Sequence, residues 1–351
     1  MFLQYLLGFR RLGFDVVFVD WLEPEAFGGP GPAYLQSVMD RFDVSYALLE
    51  TGSRSRTAGL PRAELVRRLR SSALVLNVMG YLDDDELLDA APLRVFLDVD
   101  PGFGQMWREL GLADIFAGHD RFVTVAANMG QPRCGVPTCG LDWIVSPPPV
   151  VLDLWPIERI RGGRITSVCA WRGAFAPVQC GVERYGQRVH EFRRFFGLPR
   201  RTGVELELAL DIDPADADDV GQLAAHGWRL VDPREVAGDP GSYRAYIAGS
   251  KAELMVAKEM YVKTMSGWFS DRSACYLASG RPVVAQDTGF REAYPADEGL
   301  LTFTTLDGAA ACIETVCSDP ARHSQAARAV AEAYFGSDEV LKRLLDRLEV
   351  A

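Results

Sequence analysis

Apolar and polar positions along this chain alternate between two units: short apolar runs, and longer stretches with helical spacing. Phe2, Leu3, Leu6, Leu7 and Phe9 fall largely on one helical face, with Arg10 and Arg11 near its end and Gly13 to stop it. The run from Asp15 to Asp20 is a strand, and Ala63 to Leu69 is helical. Ala73 to Val78, Leu93 to Asp98 and Asp120 to Ala126 are further strands. Strands separated by helix-length segments predict a parallel sheet with crossovers. Pro147, Pro148 and Pro149 break the pattern and read as a stiff connection. Beyond them the alternation resumes. Ile165 to Ala170, Val204 to Leu210 and Trp228 to Val231 are strands, while Gln187 to Phe196 and Ala215 to His226 are helices. The expectation is two α/β domains, residues 1–150 and 151–351, joined near Ser146 to Pro156. The last segment, Asp338 to Leu348, is an amphipathic helix capped by Ser337, placed to pack back on the N-terminal domain.

Composition narrows the classes. A chain of 351 residues has room for two ordinary domains. Its 48% hydrophobic and 24% charged content is that of a soluble globular protein. A net charge of −11 argues against a non-specific nucleic-acid or anionic-membrane partner. The seven cysteines are scattered, and Cys134 and Cys139 lack the second pair that a zinc site needs. Free or structural thiols in a reducing cytoplasm follow. No segment reaches the roughly 18 apolar residues of a membrane span.

The densest signal lies between Ser266 and Pro295. Ser270 is placed as an N-cap, Asp271, Arg272 and Ser273 form a first helical turn, and Gly280 followed by Pro282 ends the helix. Pro282 to Ala285 is a buried strand, and Asp287, Thr288 and Gly289 form a polar turn at its carboxyl end. Ligands of parallel sheets bind outside the carboxyl ends of strands, and helix N-termini favour phosphates. A phosphorylated ligand is the natural inference.

This stretch resembles the C-terminal signature of GT-B glycosyltransferases, in which a helix ending A-x-G-x-P-V-V precedes a D-x-G-G-x-x-E turn. Ala278, Gly280, Pro282, Val283 and Val284 match the first part, and Asp287, Gly289 and Glu292 match the second loosely, with Phe290 in place of the second glycine. Cys275 stands where retaining families carry a glutamate for the donor ribose. The resemblance implies an α/β, GT-B-like fold of two Rossmann-like domains facing a cleft. It also implies an N-terminal acceptor domain and a C-terminal domain that binds a nucleotide-diphosphate sugar, with no cofactor and no metal. GT-B N-terminal domains open with a strand and a glycine-rich loop, whereas this chain opens on a helix. Either the fold is trimmed or the translated start lies downstream of the natural one. The second has the stronger physics, because that strand is central.

Candidate donor ligands follow. By analogy Arg172, just past the first strand of the second domain, neutralises the diphosphate; a guanidinium suits that role. Ser270, Asp271, Arg272, Ser273, Asp287, Thr288 and Gly289 form the anion-facing turns. In GT-B folds the base rests on the loop after the corresponding strand, which the resemblance places after Leu230 and Val231. Lys251 and Glu253 either face the cleft or lie on a solvated helix face. Asp98 with Asp100, and Asp211 with Asp213, have D-x-D spacing, but both pairs end strands and read better as caps. In the acceptor domain the catalytic candidates are His119, Asp120 and Asp100. A histidine held by an aspartate is suited to take a proton from an acceptor hydroxyl. Two other functions stay open: a GT-B-like nucleotide-sugar epimerase, and a non-catalytic nucleotide-sugar-binding module.

Overall fold

The computed structural model describes residues 1–52, 56–158 and 163–350. Its N-terminal part runs α1 (Phe2–Arg11), β1 (Val17–Leu22), α2 (Pro24–Phe27), α3 (Gly31–Phe42), β2 (Ser45–Glu50), β3 (Thr57–Gly59) and α4 (Arg62–Arg70). It continues through β4 (Val75–Val78), α5 (Asp85–Ala90), β5 (Arg94–Asp98), α6 (Phe103–Glu109), β6 (Arg121–Thr124) and β7 (Trp143–Val145). These strands form two sheets, β1-β2-β3 and an all-parallel β4-β5-β6-β7.

The C-terminal part begins with β8 (Ile165–Ala170), a hairpin of β9 (Val178–Cys180) and β10 (Glu183–Tyr185), and α7 (Arg188–Phe192). Next come β11 (Leu206–Asp211), α8 (Ala217–Ala225), β12 (Arg229–Val231), α9 (Pro233–Ala237), α10 (Pro240–Gly249), β13 (Ala252–Met255) and α11 (Glu259–Thr264). The remainder is α12 (Asp271–Ala278), β14 (Val283–Gln286), β15 (Leu300–Phe303), α13 (Leu306–Ser318), α14 (Pro320–Tyr334) and α15 (Ser337–Arg347). Six strands make one parallel sheet in the order β12-β11-β8-β13-β14-β15.

Residue choice explains the buried middle of this sheet. Val283, Val284 and Ala285 of β14 are completely buried, and α12 is buried along Ser273 to Ala278 between the sheet and α14. A helix enclosed on this scale needs small and apolar side chains all round, which Ala274, Cys275, Leu277 and Ala278 supply. Gly280 ends it at φ +66, a backbone region open to glycine without strain. Leu341 and Leu344 of α15, with Leu348 just past its end, pack with Val95, Leu97, Val123 and Ile144 of the N-terminal sheet.

Several local readings change. The segment from Ser250 to Lys258 contains strand β13 rather than a helix face, because its apolar run is enclosed in the sheet. Ser337 lies inside α15, with Gly336 at the cap. The helix expected from Gln187 to Phe196 stops at Phe192 and continues as a 3₁₀ turn. Among the described residues no helix is long and apolar enough to cross a membrane.

The ring of Phe335 sits at the junction of this packing, 5.1 Å from Phe269 and 4.9 Å from Tyr294, and is fully buried. Phe335→Ala is expected to cost about 3–5 kcal/mol of unfolding free energy, measured by urea denaturation.

Candidate functional site

The strand order reverses between β8 and β13: from β8 the chain steps outward to β11 and β12, and from β13 to β14 and β15. Parallel sheets open a crevice outside the carboxyl ends of strands at such a switch point. Here those ends are Ala170 and Met255, followed by Trp171, Arg172 and Gly173 on one side and Val256, Ala257 and Lys258 on the other. Arg188 at the start of α7 ties the two ends together. Its Nη1 donates to the Ala170 carbonyl at 2.8 Å and its Nε to the Val256 carbonyl at 2.9 Å. Burial pushes its pKa below the ordinary arginine value. Gln187 shapes the adjoining loop, accepting from the Gly173 amide at 3.1 Å and donating to the Phe175 carbonyl.

Lys258 stands in this crevice. Its ammonium pairs with Asp100, which follows β5 in the N-terminal part, and lies 5.3 Å from the Phe103 ring centroid. The other Asp100 oxygen accepts from the Tyr261 hydroxyl. Burial pushes the Lys258 pKa below its usual range while Asp100 works in the opposite direction. Tyr261 is pushed well up, by burial first and then by Asp100. Cation, carboxylate and phenol therefore meet where the two parts of the chain face each other.

Along the same rim, outside the ends of β11 and β12, is a cavity of about 350 Å³ lined by Leu210, Ile212, Val220, Leu230, Val231 and Pro233 among others. Arg172, at the end of β8, lies between this cavity and Lys258 in strand order. Its guanidinium is half-exposed and forked onto Asp216 at 2.7 and 2.6 Å, which raises its pKa and holds the Asp216 carboxyl below the usual range. Cavity, guanidinium and ammonium thus follow one another along the edge of the sheet.

Other expected ligands are placed differently. Ser270 and Ser273 are almost completely buried, and the Ser270 hydroxyl makes no capping bond, because α12 starts beneath Trp268 and Phe269 rather than at an open cleft. Asp271 is partly exposed and faces the Met1 amino group at 3.5 Å. Arg272 turns inward, pairing with fully buried Glu253 and donating to the Val168 carbonyl at 2.7 Å. Burial works against the Arg272 charge, yet Glu253 outweighs it and raises the pKa. These two residues hold each other inside the sheet. Lys251 precedes β13 at its amino end, opposite the rim, its amide bonded to the Arg164 carbonyl. Asp287, Thr288 and Gly289 do meet the start of α12: the Thr288 hydroxyl donates to the Trp268 carbonyl at 2.6 Å and the Gly267 amide to the Thr288 carbonyl at 2.7 Å. Arg172 is not brought to them, since β13 intervenes and its fork is turned to Asp216.

His119 and Asp120 precede β6, at the amino ends of the strands, and so lie apart from Asp100, which follows β5. Asp120 forks onto Arg94, the first residue of β5, while His119 contacts Asn77 and Phe96 and is pushed by burial below its ordinary pKa. Asp98 is buried and bonded to Gln105, Thr124 and the Asp100 amide, so it does not converge with Asp100. Asp213 caps the turn at Ala215. Among the described residues no group of three or more His, Cys, Asp or Glu could hold a metal ion. The loop after β6 clamps the C-terminal part: Asn128 Nδ2 donates to the carbonyls of Met265 and Gly289 at 2.8 and 3.0 Å. Lys258, Tyr261, Arg188, Gln187 and Asn128 were not singled out from the sequence. For Lys258 the one available signal is a lysine directly after an apolar strand.

No family model and no curated protein sequence matches the chain. Solved structures do. HepE of Anabaena, in complex with UDP and glucose, aligns over 96% of this chain and 100% of its own, with 14% identity and a TM-score of 0.60. Sucrose-phosphate synthase of Thermosynechococcus elongatus covers 95% and 98%, with 12% identity and a TM-score of 0.54. A glycosyltransferase of Rickettsia africae covers 95% and 97%, with 10% identity and a TM-score of 0.53.

Two predictions follow from the site. Glu253→Ala leaves the Arg272 charge buried without its partner and is expected to cost about 3–5 kcal/mol, read as a loss of denaturant midpoint. The second concerns Asp98, whose carboxyl burial pushes up to about 7. The folded chain then keeps a proton that the unfolded chain releases near pH ~4. That stabilisation is full below about pH 4 and is lost as pH rises to about 7. Asp98→Asn should flatten the fall of Tm between about pH 5 and 7.5; an unchanged slope would refute it. Sheet order, crossovers and solved relatives agree on one architecture: the chain has the GT-B fold.

Proposed function

We propose that this protein is a glycosyltransferase that moves a sugar from a nucleotide-diphosphate sugar to an acceptor hydroxyl without a metal ion. The observation that carries this reading is the order along the sheet rim: the cavity, Arg172, Lys258. A nucleotide sugar has the same sequence of chemistries. Its base suits the cavity bounded by Leu230 and Val231, and its diphosphate suits the two cations. HepE, which shares the fold, binds UDP-glucose, and a uridine nucleotide is therefore the first donor to test. Residues 151–351 bind the donor and residues 1–150 the acceptor, in a cytoplasmic protein.

In the transfer the acceptor oxygen bonds to the anomeric carbon as the bond to the diphosphate oxygen breaks. Fixed cations that meet the charge growing on the diphosphate lower that barrier. Asp100 lies across the crevice from the diphosphate position and is the carboxylate placed to take the acceptor proton. A diphosphate arriving at Lys258 competes with Asp100 for the ammonium and frees the carboxylate for that task. His119 and Asp120 have no part in this, given their position at the amino ends.

Calorimetry with UDP and with uridine tests the assignment. Arg172→Ala and Lys258→Met should each weaken UDP binding about 10- to 100-fold, the worth of a hydrogen bond to a charged group, and leave uridine within about twofold. Equal losses for both ligands, or none, would remove the phosphate role. UDP release that requires an acceptor identifies the transferase. Release or isomerisation without acceptor points to the epimerase, and binding without turnover to the non-catalytic module.

A further inference from the structure

The two cations at the rim differ in access. The Arg172 side chain is half-exposed, whereas that of Lys258 is 13% exposed and that of its partner Asp100 17%. Four groups surround the Lys258 ammonium: the Asp100 carboxylate, and the rings of Phe103, Tyr261 and Phe175 with centroids at 5.3, 5.5 and 6.0 Å. Aromatic faces attract an ammonium, so these groups form a closed cage around it. Gly173 borders the cage on the side of Arg172. A Cβ added there would lie 3.3 Å from the Lys258 Nζ, which sets the Arg172–Gly173 backbone directly against the ammonium. A diphosphate that bridges Arg172 and Lys258 therefore passes over Gly173, and one wall of the cage has to give way to it.

Three of the walls are held firmly. Phe103 and Tyr261 are buried in one apolar core with Met260 and Trp268. Asp100 is anchored a second time by the Tyr261 hydroxyl. Phe175 differs from these. It is half-buried, between exposed Ala174 and Ala176, in the segment that leads from β8 to the β9–β10 hairpin. That segment is pinned at both ends, by fully buried Trp171 and by buried Val178 at the start of β9. Residues 172–177 are left between the two pins, and buried apolar contacts are few along them, which is the signature of a stretch with low local stability. The Phe175 ring reaches across the crevice to α6 by edge and tilted contacts, 4.9 Å from Trp107 and 5.4 Å from Phe103.

We infer that Phe175 is the gate of the Lys258 phosphate subsite: in the closed arrangement its ring covers the ammonium against Phe103 and Trp107, and residues 172–177 swing it out to admit a nucleotide diphosphate. The inference rests on the reading of Arg172 and Lys258 as diphosphate ligands. The exchange is chemically favourable, because the ammonium gives up a ring contact for charge-assisted hydrogen bonds to phosphate oxygens, which are stronger. The closed gate keeps water from Asp100 and Lys258 until a donor arrives. It also makes the subsite selective. Uridine has no phosphate to offer the ammonium, does not open the gate and binds at the cavity outside β12 alone.

Surface plasmon resonance of the full chain with UDP and with uridine tests the gate. A binding-competent state populated at about one part in ten or less weakens and slows binding about tenfold or more. Phe175→Ala removes that barrier, so UDP should associate at least about tenfold faster and bind correspondingly tighter, with uridine unchanged within about twofold. Trp107→Ala takes away the ring's support on α6 and leaves the other walls of the cage in place. It should shift UDP association in the same direction, and it carries the test if Phe175→Ala does not fold. Unchanged or slower UDP association in the folded variants, or an equal gain for uridine, would overturn the gate. Failure of the underlying phosphate reading shows separately, as equal effects of Arg172→Ala and Lys258→Met on UDP and uridine.

Discussion

All six strands of the C-terminal sheet run in one direction, and the site follows from that constraint. A parallel sheet sends every strand's carboxyl end to the same rim, and crossovers that leave β8 and β13 in opposite directions must part between those two strands. The parting is held open and in register by Arg188, whose guanidinium spans the two strand ends. A buried cation satisfied by main-chain carbonyls is a demanding arrangement, and neither end of it can shift without leaving a donor unmet.

The N-terminal part meets that rim through a few specific contacts. Asp100 reaches Lys258 and Tyr261, Phe103 packs on Phe175 at 5.4 Å, and Asn128 fastens onto the turns around Met265 and Gly289. Helix α15 then crosses back to cover β5 and β6. These contacts place the Asp100 carboxylate opposite the cations, so the acceptor side of the proposed reaction is positioned by packing far from the donor cavity. They also explain why Ser270 and Ser273 are shut in: the segment that leads into α12 carries Trp268 and Phe269, which are buried in the same packing.

Much of the architecture was legible in the residues. Short apolar runs alternating with helical spacing identified β4, β5, β8, β11 and β12 to within two residues at either end, and the Ala278 to Val284 signature located α12 and β14. The elements that escaped notice include β2, α3 and the β9–β10 hairpin, whose two strands are only three residues long each. Leu230 and Val231, named from the strand they end, line the cavity outside β12.

Which side chains face the rim was a different matter. Lys251 and Lys258 flank the same strand, and only the strand's direction in the sheet decides that one lies at the amino end and the other in the crevice. Arg272 and Glu253 have the chemistry of ligands, yet β13 and α12 turn them toward each other inside the sheet. His119 and Asp120 precede their strand whereas Asp100 follows its own, a difference of one strand length that reverses their access to the cleft. Periodicity and turn chemistry act over a few residues, so the sequence by itself determined the elements and the fold class. Strand direction, burial and the meeting of distant segments arise only when the sheets assemble, and it was the tertiary structure that decided which charges stand at the rim and which are shut inside the sheet.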